Sequence, residues 1–279
     1  MVKNLFGVNC QTFYRINGEP LVMSMKIGII GLGVVGSAIK KGFEELEHEV
    51  LIHDIKLKTS IDDVLSAELI YLCLPTPSTE DGSCDTSILK KVLKQLNAKK
   101  YEGVVAVKST IVPGTYKELS EIFDKDRLIL VPEFLREKFA YEDFTTRHNV
   151  LVIGTNNLKN ISSVLISHGD YPKAIKIISP EECEFVKYFS NVFKAYKTLF
   201  ANSFGALCDI HNVDYSKVLD VYKAENVKET SYLKNIGGFA GMCLPKDTRA
   251  LAKLAENTGV DTFNFLLEEN KKYIWNQSQ

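Results

Sequence analysis

The stretch GGFAGMCLPKD, residues 237–247, sets a cysteine in a loop bared by three glycines and follows it with Pro-Lys-Asp. That setting suits a nucleophile: a thiolate attacks carbonyl carbon readily, and glycines let backbone approach a substrate. Cations nearby favour the thiolate, Lys187 before Lys246, which stands three residues after Cys243 beside Asp247. A disulfide has no use for such an arrangement. Three further clusters carry groups that handle protons and oxyanions. KSTIVPGT (108–115) brings the hydroxyls of Ser109 and Thr110, and PEFLRE (132–137) holds Glu133 and Glu137 four residues apart. In VKYFSN (186–191), Lys187 and Asn191 are spaced i, i+4, hence on one face of a helix. Each cluster also has a plainer reading, as a strand end, an amphipathic turn or a solvated stripe.

A second kind of chemistry lies nearer the start. GLGVVG (31–36) is GxGxxG, directly after the apolar run KIGII (26–30) and before the helical SAIKKGFEELE (37–47). In that context Gly31 permits the tight turn, Gly33 lets backbone meet a pyrophosphate, and Gly36 lets the helix pack close. Asp54 closes the next strand, EVLIHD (49–54), where a carboxylate takes both hydroxyls of an adenine ribose. Its charge favours NAD over NADP, a preference softened by Lys56 and Lys58. Pro75 and Thr76, in LPTP after the third strand, fall at the edge where open α/β sheets bind ligands.

These groups must be held by an α/β scaffold. Strands are expected at 26–30, 49–54, 69–74, 104–108, 127–131, 149–154 and 174–178, with a helical segment near 157–168. Strands alternating with helices predict a Rossmann-type, mostly parallel, doubly wound sheet. At Pro180 the character changes to one long helix reaching about residue 211, with helices at 215–224, 246–258 and 262–275 and an irregular loop at 225–245. The domains expected are therefore an N-terminal extension (1–24), a Rossmann domain (25–179) and an all-helical domain built on the long helix (180–279). Phe185, Tyr188, Phe189, Val192 and Tyr196 read as packing surface, and so long an apolar helix (181–211) suggests a homodimer interface.

Composition narrows the partners. The formal net charge of −1 gives no electrostatic case for nucleic acid or an anionic membrane. No apolar run approaches the length of a membrane span, and residues 1–22 lack the continuous apolar core of a signal peptide. The six cysteines, at 10, 73, 84, 183, 208 and 243, form no CxxC pair, so neither a metal site nor a disulfide framework is expected, and a cytoplasmic location is.

Together the motifs resemble the UDP-glucose/GDP-mannose dehydrogenase family, nucleotide-sugar dehydrogenases that oxidise a C6 alcohol to a carboxylate with two NAD. GLGVVG, LPTPS with DGSCD (81–85), KSTIVPGT, PEFLREKFAYEDF, the KYFSN helix and GGFAGMCLPKDTRAL follow the family order over nearly all of 25–275. The resemblance implies that Cys243 is the nucleophile, with Lys187, Asn191, Asp247, Glu133 and Thr110 in the chemistry. It implies that Gly31, Gly33, Gly36, Asp54, Pro75, Thr76, Thr110 and Glu137 hold NAD. Glu133, Phe134, Leu135, Lys187, Asn191, Tyr232, Gly238 and Lys246 then line the nucleotide-sugar site, Tyr232 at the phosphates. The implied reaction is UDP-glucose to UDP-glucuronate through a Cys243 thiohemiacetal and thioester.

Family members continue into a further nucleotide-binding α/β domain, whereas this sequence stops at Gln279. Three readings follow. The chain is a shortened active enzyme, completed by a dimer mate or a separate polypeptide; or a one-step dehydrogenase of small hydroxy acids; or a non-catalytic NAD-binding homologue. Cys243 in its Pro-Lys-Asp loop argues against the second, and the full set of candidate catalytic residues against the third. Smaller departures are Val131, Met242 and Ala240, the last mattering if its backbone needs positive φ.

Overall fold

A computed structural model of the chain describes residues 15–16, 19–20, 24–225, 230–235 and 237–274. The expected extension (1–24) and loop (225–245) lie partly outside those residues. Two short strands, β1 (Arg15–Ile16) and β2 (Glu19–Pro20), pair antiparallel. The main elements then run β3 (Lys26–Ile30), α1 (Val34–Glu45), β4 (Glu49–His53), β5 (Leu69–Leu72) and α2 (Ser87–Ala98). They continue with β6 (Val104–Val107), α3 (Thr115–Ser120), β7 (Leu128–Leu130), α4 (Ala140–Phe144), β8 (Leu151–Gly154), α5 (Ile161–His168) and β9 (Ile175–Ile178). Four helices follow: α6 (Pro180–Ile210), α7 (Tyr215–Glu225), α8 (Leu244–Leu254) and α9 (Thr262–Ile274).

Strands β3 to β9 form one seven-stranded sheet in the order β4-β3-β5-β6-β7-β8-β9. Every neighbouring pair is parallel except β7 and β8, which meet antiparallel at Leu130 and Gly154. The apolar runs are continuous because both faces are covered: LIYL, VVAV and LVIG are buried at every position. The chain divides into two compact units, one of residues 1–74, 91–109 and 120–180, the other of 75–90, 110–119 and 181–279. Two segments read above with the Rossmann half, 75–90 and 110–119, thus cluster with the helical unit.

In the helical unit, Val192, Ala195 and Leu199 of α6 pack with Phe239 and with Leu266 of α9. Of the residues read as packing surface on α6, Tyr188 and Val192 are buried and Tyr196 partly so. Phe185 and Phe189 lie on the other face, 52% and 75% exposed.

The sheet unit buries an aromatic cluster that also holds three histidines. Phe43, Tyr71 and Phe144 surround His168 with edge-on and tilted rings, His148 lies 5.5 Å from it between ring centroids, and His48 lies 6.2 Å from Phe43. His148 Nδ1 donates to Phe144 O (2.8 Å) and His168 Nδ1 to Val164 O (2.9 Å). Burial, reinforced by the Lys108 ammonium, lowers His148 to about 4 and His168 well below its ordinary range. Between the ordinary value near 6.5 and about 4, the unfolded chain therefore binds protons that the folded chain refuses, and stability falls as pH falls. His148 alone accounts for about 2–3 kcal/mol over that window. Urea midpoints should drop steadily from pH 6.5 to 4.5, and a His148→Gln variant should flatten the slope. Asp143, lowered by its Arg136 partner, loses its contribution only below the ordinary carboxylate range, so the two effects separate in pH.

Candidate active site

In the sheet unit, the turn after β3 is built by glycine. Gly31 has φ 95°, and a Cβ on Gly36 would lie 1.9 Å from Gly31 O, so the first turn of α1 rests directly on the turn before it. Gly33 is the N-cap of α1, and among the described residues no side chain caps that helix. Nothing stands within 4 Å of where a Cβ on Gly33 would be. Open N–H groups at a helix start seat an anion. Strand order reverses at β3, between β4 and β5, which is where open α/β sheets bind ligands. The turn fits the pyrophosphate of a dinucleotide.

Asp54 follows β4 as expected, but its oxygens are already engaged. Oδ2 accepts from Leu32 N–H (2.7 Å) and Oδ1 from Lys56 N–H (2.8 Å), and these bonds hold the carboxyl below its usual range. Each oxygen retains lone-pair capacity for a ribose hydroxyl. Asp54 therefore shapes the turn as well as presenting a charge to it.

PEFLRE leaves β7 as an irregular segment. Glu133 Oε2 accepts Leu135 N–H (2.6 Å), Leu135 packs on the sheet core, Phe134 is half-buried, and the exposed Glu137 opens a short 3₁₀ turn. Arg136 grips Asp143 through Nε (2.8 Å) and Nη2 (2.6 Å), which fixes the segment against α4.

The helical unit gathers the other candidates. Thr76 is buried and its Oγ1 donates to Thr110 O (2.7 Å), tying the LPTP loop, with Pro75 exposed, to the IVPGT segment. One face of α6 carries Glu184, Lys187, Tyr188 and Asn191 at helical spacing, all of them buried. Asn191 Nδ2 donates to Asp247 Oδ2 (2.6 Å), and Lys246 Nζ to Asp247 Oδ1 (2.6 Å). Asp247 itself is 1% exposed. Its N–H closes on the Cys243 carbonyl (2.9 Å), because Cys243 is the N-cap of α8 and Pro245 stands in its first turn, where a missing N–H costs nothing. The helix read as 246–258 thus begins at Leu244.

Among the described cysteines Cys243 is the exposed one. Burial pushes Cys73 and Cys183 up to about 12, and Cys84 upward as well. Ala240 is not among the residues with positive φ; the left-handed position beside it is Gly241 (φ 82°). Tyr232 does have positive φ (67°), a conformation that costs a tyrosine about 1 kcal/mol or more. Its ring lies 5.9 Å from Lys194 Nζ and 5.7 Å from Lys197 Nζ. Gly238 is buried against Asn270. Asn191, Lys246 and Asp247 are thus joined directly, with Cys243 tied through backbone. Tyr232 shares no described hydrogen bond with them.

Three groups here carry no functional role in the sequence reading, which gave Tyr188 as packing surface and Cys84 as one of six cysteines. Glu184 accepts from Gly114 N–H (2.8 Å) and Tyr116 N–H (2.5 Å), holding the segment that follows Thr110; burial raises its carboxyl against those bonds. The Tyr188 phenol is raised by burial and by the charge of Asp247. Cys84 Sγ stands 3.7 Å from Thr76 O and 3.9 Å from Thr110 O. The i, i+3, i+7 spacing from Glu184 through Lys187 to Asn191 was available in the sequence.

Residues 54–167 match the NAD binding domain of the UDP-glucose/GDP-mannose dehydrogenase family, and residues 181–272 match its central domain. The Gly31–Gly36 turn precedes the matched range and stands on its own geometry. The chain is 29% identical to a UDP-glucose 6-dehydrogenase of Haloferax volcanii, over 85% of this chain and 67% of that protein. It is 30% identical to a GDP-mannose 6-dehydrogenase of Pseudomonas syringae pv. tomato, over 97% of this chain and 67% of that one. A UDP-glucose dehydrogenase structure from Pyrobaculum islandicum superposes with TM-score 0.80 at 26% identity, covering 90% of this chain and 69% of that one. The chain spans about half to two thirds of the length of the curated relatives it matches, from 47% to 67%. With two domain profiles matched in order, this chain belongs to the UDP-glucose/GDP-mannose dehydrogenase family.

Proposed function

We propose that the chain is an NAD-dependent nucleotide-sugar 6-dehydrogenase that oxidises the C6 alcohol of UDP-glucose to a carboxylate. The observation that carries this reading is Cys243, exposed at the N-cap of α8 one turn before a buried Asp247 that binds both Asn191 and Lys246. A single oxidation of an alcohol needs no thiol; a second oxidation, from aldehyde to acid, gains from one.

In this reading residues 25–179 hold the cofactor and residues 180–279 the nucleophile. Gly31, Gly33 and Gly36 seat the pyrophosphate, Asp54 the ribose, and Pro75, Thr76, Thr110 and Glu137 complete the cofactor site. NAD bound there would supply the hydride acceptor, one NAD for each of the two oxidations. Cys243 Sγ adds to the C6 aldehyde, forming a C–S bond and an alkoxide that takes up a proton. Loss of a hydride from that carbon and of the proton from its hydroxyl oxygen leaves a thioester. Water then cleaves the C–S bond, releasing the carboxylate and restoring the thiol. The N-terminal dipoles of α8 favour negative charge on Sγ. Lys187 and Asn191 steady the oxygen anions formed at C6, and Asp247, with Glu133, moves protons. Phe134, Leu135 and Gly238 line the sugar, while Tyr232 and Lys246 meet the phosphates.

The exposed stripe of α6, with Phe185, Phe189, Phe193, Phe200, Phe204 and Leu207 at helical spacing, supports a homodimer, which mass in solution reads directly. Among the described residues no helix is long and apolar enough to cross a membrane. The spacing of the six cysteines, with no CxxC pair, suits a reducing compartment, and we assign the protein to the cytoplasm.

The test is the yield of NADH per molecule of limiting UDP-glucose, with GDP-mannose and a small hydroxy acid run beside it. Two NADH per sugar is expected. One NADH from the hydroxy acid, or none from any nucleotide sugar, overturns the reading. Activity of the isolated chain also argues against the need for a separate polypeptide.

A further inference from the structure

Two buried asparagines outside the expected site hold the loop that leads to Cys243. Asn202 of α6 is 5% exposed and Asn270 of α9 3% exposed. Asn202 Oδ1 accepts from Gly237 N–H (2.9 Å), and its Nδ2 donates to Gly237 O (2.7 Å) and to Thr198 O (2.7 Å). Asn270 Oδ1 accepts from Phe239 N–H (2.8 Å), and its Nδ2 donates to Phe239 O (2.9 Å). Each carboxamide therefore meets both the N–H and the C=O of one loop residue, the pairing that an adjacent β-strand would offer. Among the described residues no strand pairs with the loop, and its buried peptide groups require partners. Gly238 lies between the two clamped residues, where a Cβ would come within 2.7 Å of Asn270 Oδ1.

The clamps define where the thiol can be. Phe239 is 2% exposed, and its ring is buried with Val192, Ala195, Leu199 and Leu266, so that end of the loop is fixed twice over. At the other end Leu244 packs on the same cluster and opens α8. Ala240, Gly241, Met242 and Cys243 are all exposed and bridge these two fixed points. Asn202 follows Asn191 by eleven residues, close to three helical turns, so both stand on one face of α6, about 16 Å apart along its axis. One rigid face thus carries the residue that meets Asp247 and the residue that holds the Cys243 loop.

We propose that Asn202 and Asn270 are positioning residues for Cys243, acting as surrogate strand edges that hold the thiol at a set place relative to Asn191 and Asp247. The inference rests on Cys243 being the nucleophile proposed above.

The experiment uses the full chain with Asn202→Leu, Asn270→Leu, Asn202→Asp and Asn270→Asp. Three quantities are read: amide exchange of the 237–243 segment, the alkylation rate of Cys243 by iodoacetamide against pH, and kcat and KM with UDP-glucose and NAD. The leucine variants should exchange at 237–239 about tenfold faster or more, for loss of the clamping bonds. They should lower kcat by about 10- to 100-fold with KM changed far less, since a misplaced nucleophile costs rate more than binding. Cys243 alkylation should shift several-fold in the same variants. If a leucine variant does not fold, the aspartate variants decide. An ionised aspartate lacks the donor, whereas a protonated one restores both bonds, so their alkylation rates relative to wild type should converge towards one as pH falls. Faster loop exchange with unchanged Cys243 alkylation and unchanged kcat overturns the proposal, leaving the asparagines a purely structural role. A wild-type chain that forms no NADH defeats the proposed activity instead, while the exchange and alkylation readings still decide the clamp.

Discussion

Cys243→Ala should abolish the second oxidation and lower turnover of UDP-glucose to the acid by about 10³-fold or more, with NAD binding unchanged. The first oxidation, from alcohol to aldehyde, needs no sulfur. The variant should therefore release at most one NADH per sugar, slowly, and accumulate aldehyde detectable with a hydrazine reagent. Cys243→Ser should behave almost as badly, because a serine hydroxyl without a matched base is a far weaker nucleophile at neutral pH. The accessibility of the thiols supplies a control. Cys73, Cys84 and Cys183 are held protonated by burial, so iodoacetamide should inactivate the wild-type chain through Cys243 and leave the alanine variant's residual rate untouched. Two NADH per sugar from Cys243→Ala at the wild-type rate would remove covalent catalysis from the mechanism.

Asp247 separates stability from chemistry. Its carboxylate is 1% exposed and accepts from Asn191 and Lys246, both at 2.6 Å. Asp247→Ala strips a buried amide and a largely buried ammonium of their acceptor, and should cost about 2–4 kcal/mol in urea unfolding. Part of the Lys246 penalty is relieved by water, since its side chain is 18% exposed. Asp247→Asn keeps a carbonyl oxygen for Asn191 but turns an NH2 toward the Lys246 ammonium, and should cost about 1–2 kcal/mol, less than the alanine change. If Asp247 moves a proton in catalysis, the same conservative change should still lower kcat by about 10²-fold. Full kcat in a stable Asp247→Asn chain assigns the residue to architecture alone. A double-mutant cycle with Asn191→Ala then measures the pairing itself.

The sheet was legible because its strands are buried on both faces, which leaves apolar runs such as LIYL and VVAV with turn residues at their ends. The long helix was equally plain, opened by Pro180 and uninterrupted to Ile210. Helix α2 was not marked, although Leu89, Val92, Leu93 and Leu96 carry its spacing. The antiparallel step from β7 to β8 leaves no local trace, since strand direction depends on a connection that periodicity does not describe. At the site, Lys187 and Asn191 were visible as a pair on one helix face. The start of α8 was not, because Pro245 beside a glycine run reads as a breaker although proline is tolerated in a first turn. Asn202 and Asn270 were invisible for a different reason. Their partners are backbone groups 35 and 31 residues away, and an asparagine in a helical pattern carries no sign of so distant a bond.

The face of α6 has a consequence for how this sequence can change length. Glu184, Asn191 and Asn202 each grip a different segment of the helical unit: the backbone at Gly114 and Tyr116, the Asp247 carboxylate, and Gly237. Each residue inserted into a helix turns everything beyond it by about 100° and advances it by about 1.5 Å. One added residue between Glu184 and Asn202 would swing the later grips off the buried face, and a whole added turn would move them out of register with their partners. The stretch from 184 to 202 is thus closed to insertion and deletion, whereas substitution on its exposed face leaves all three grips in place.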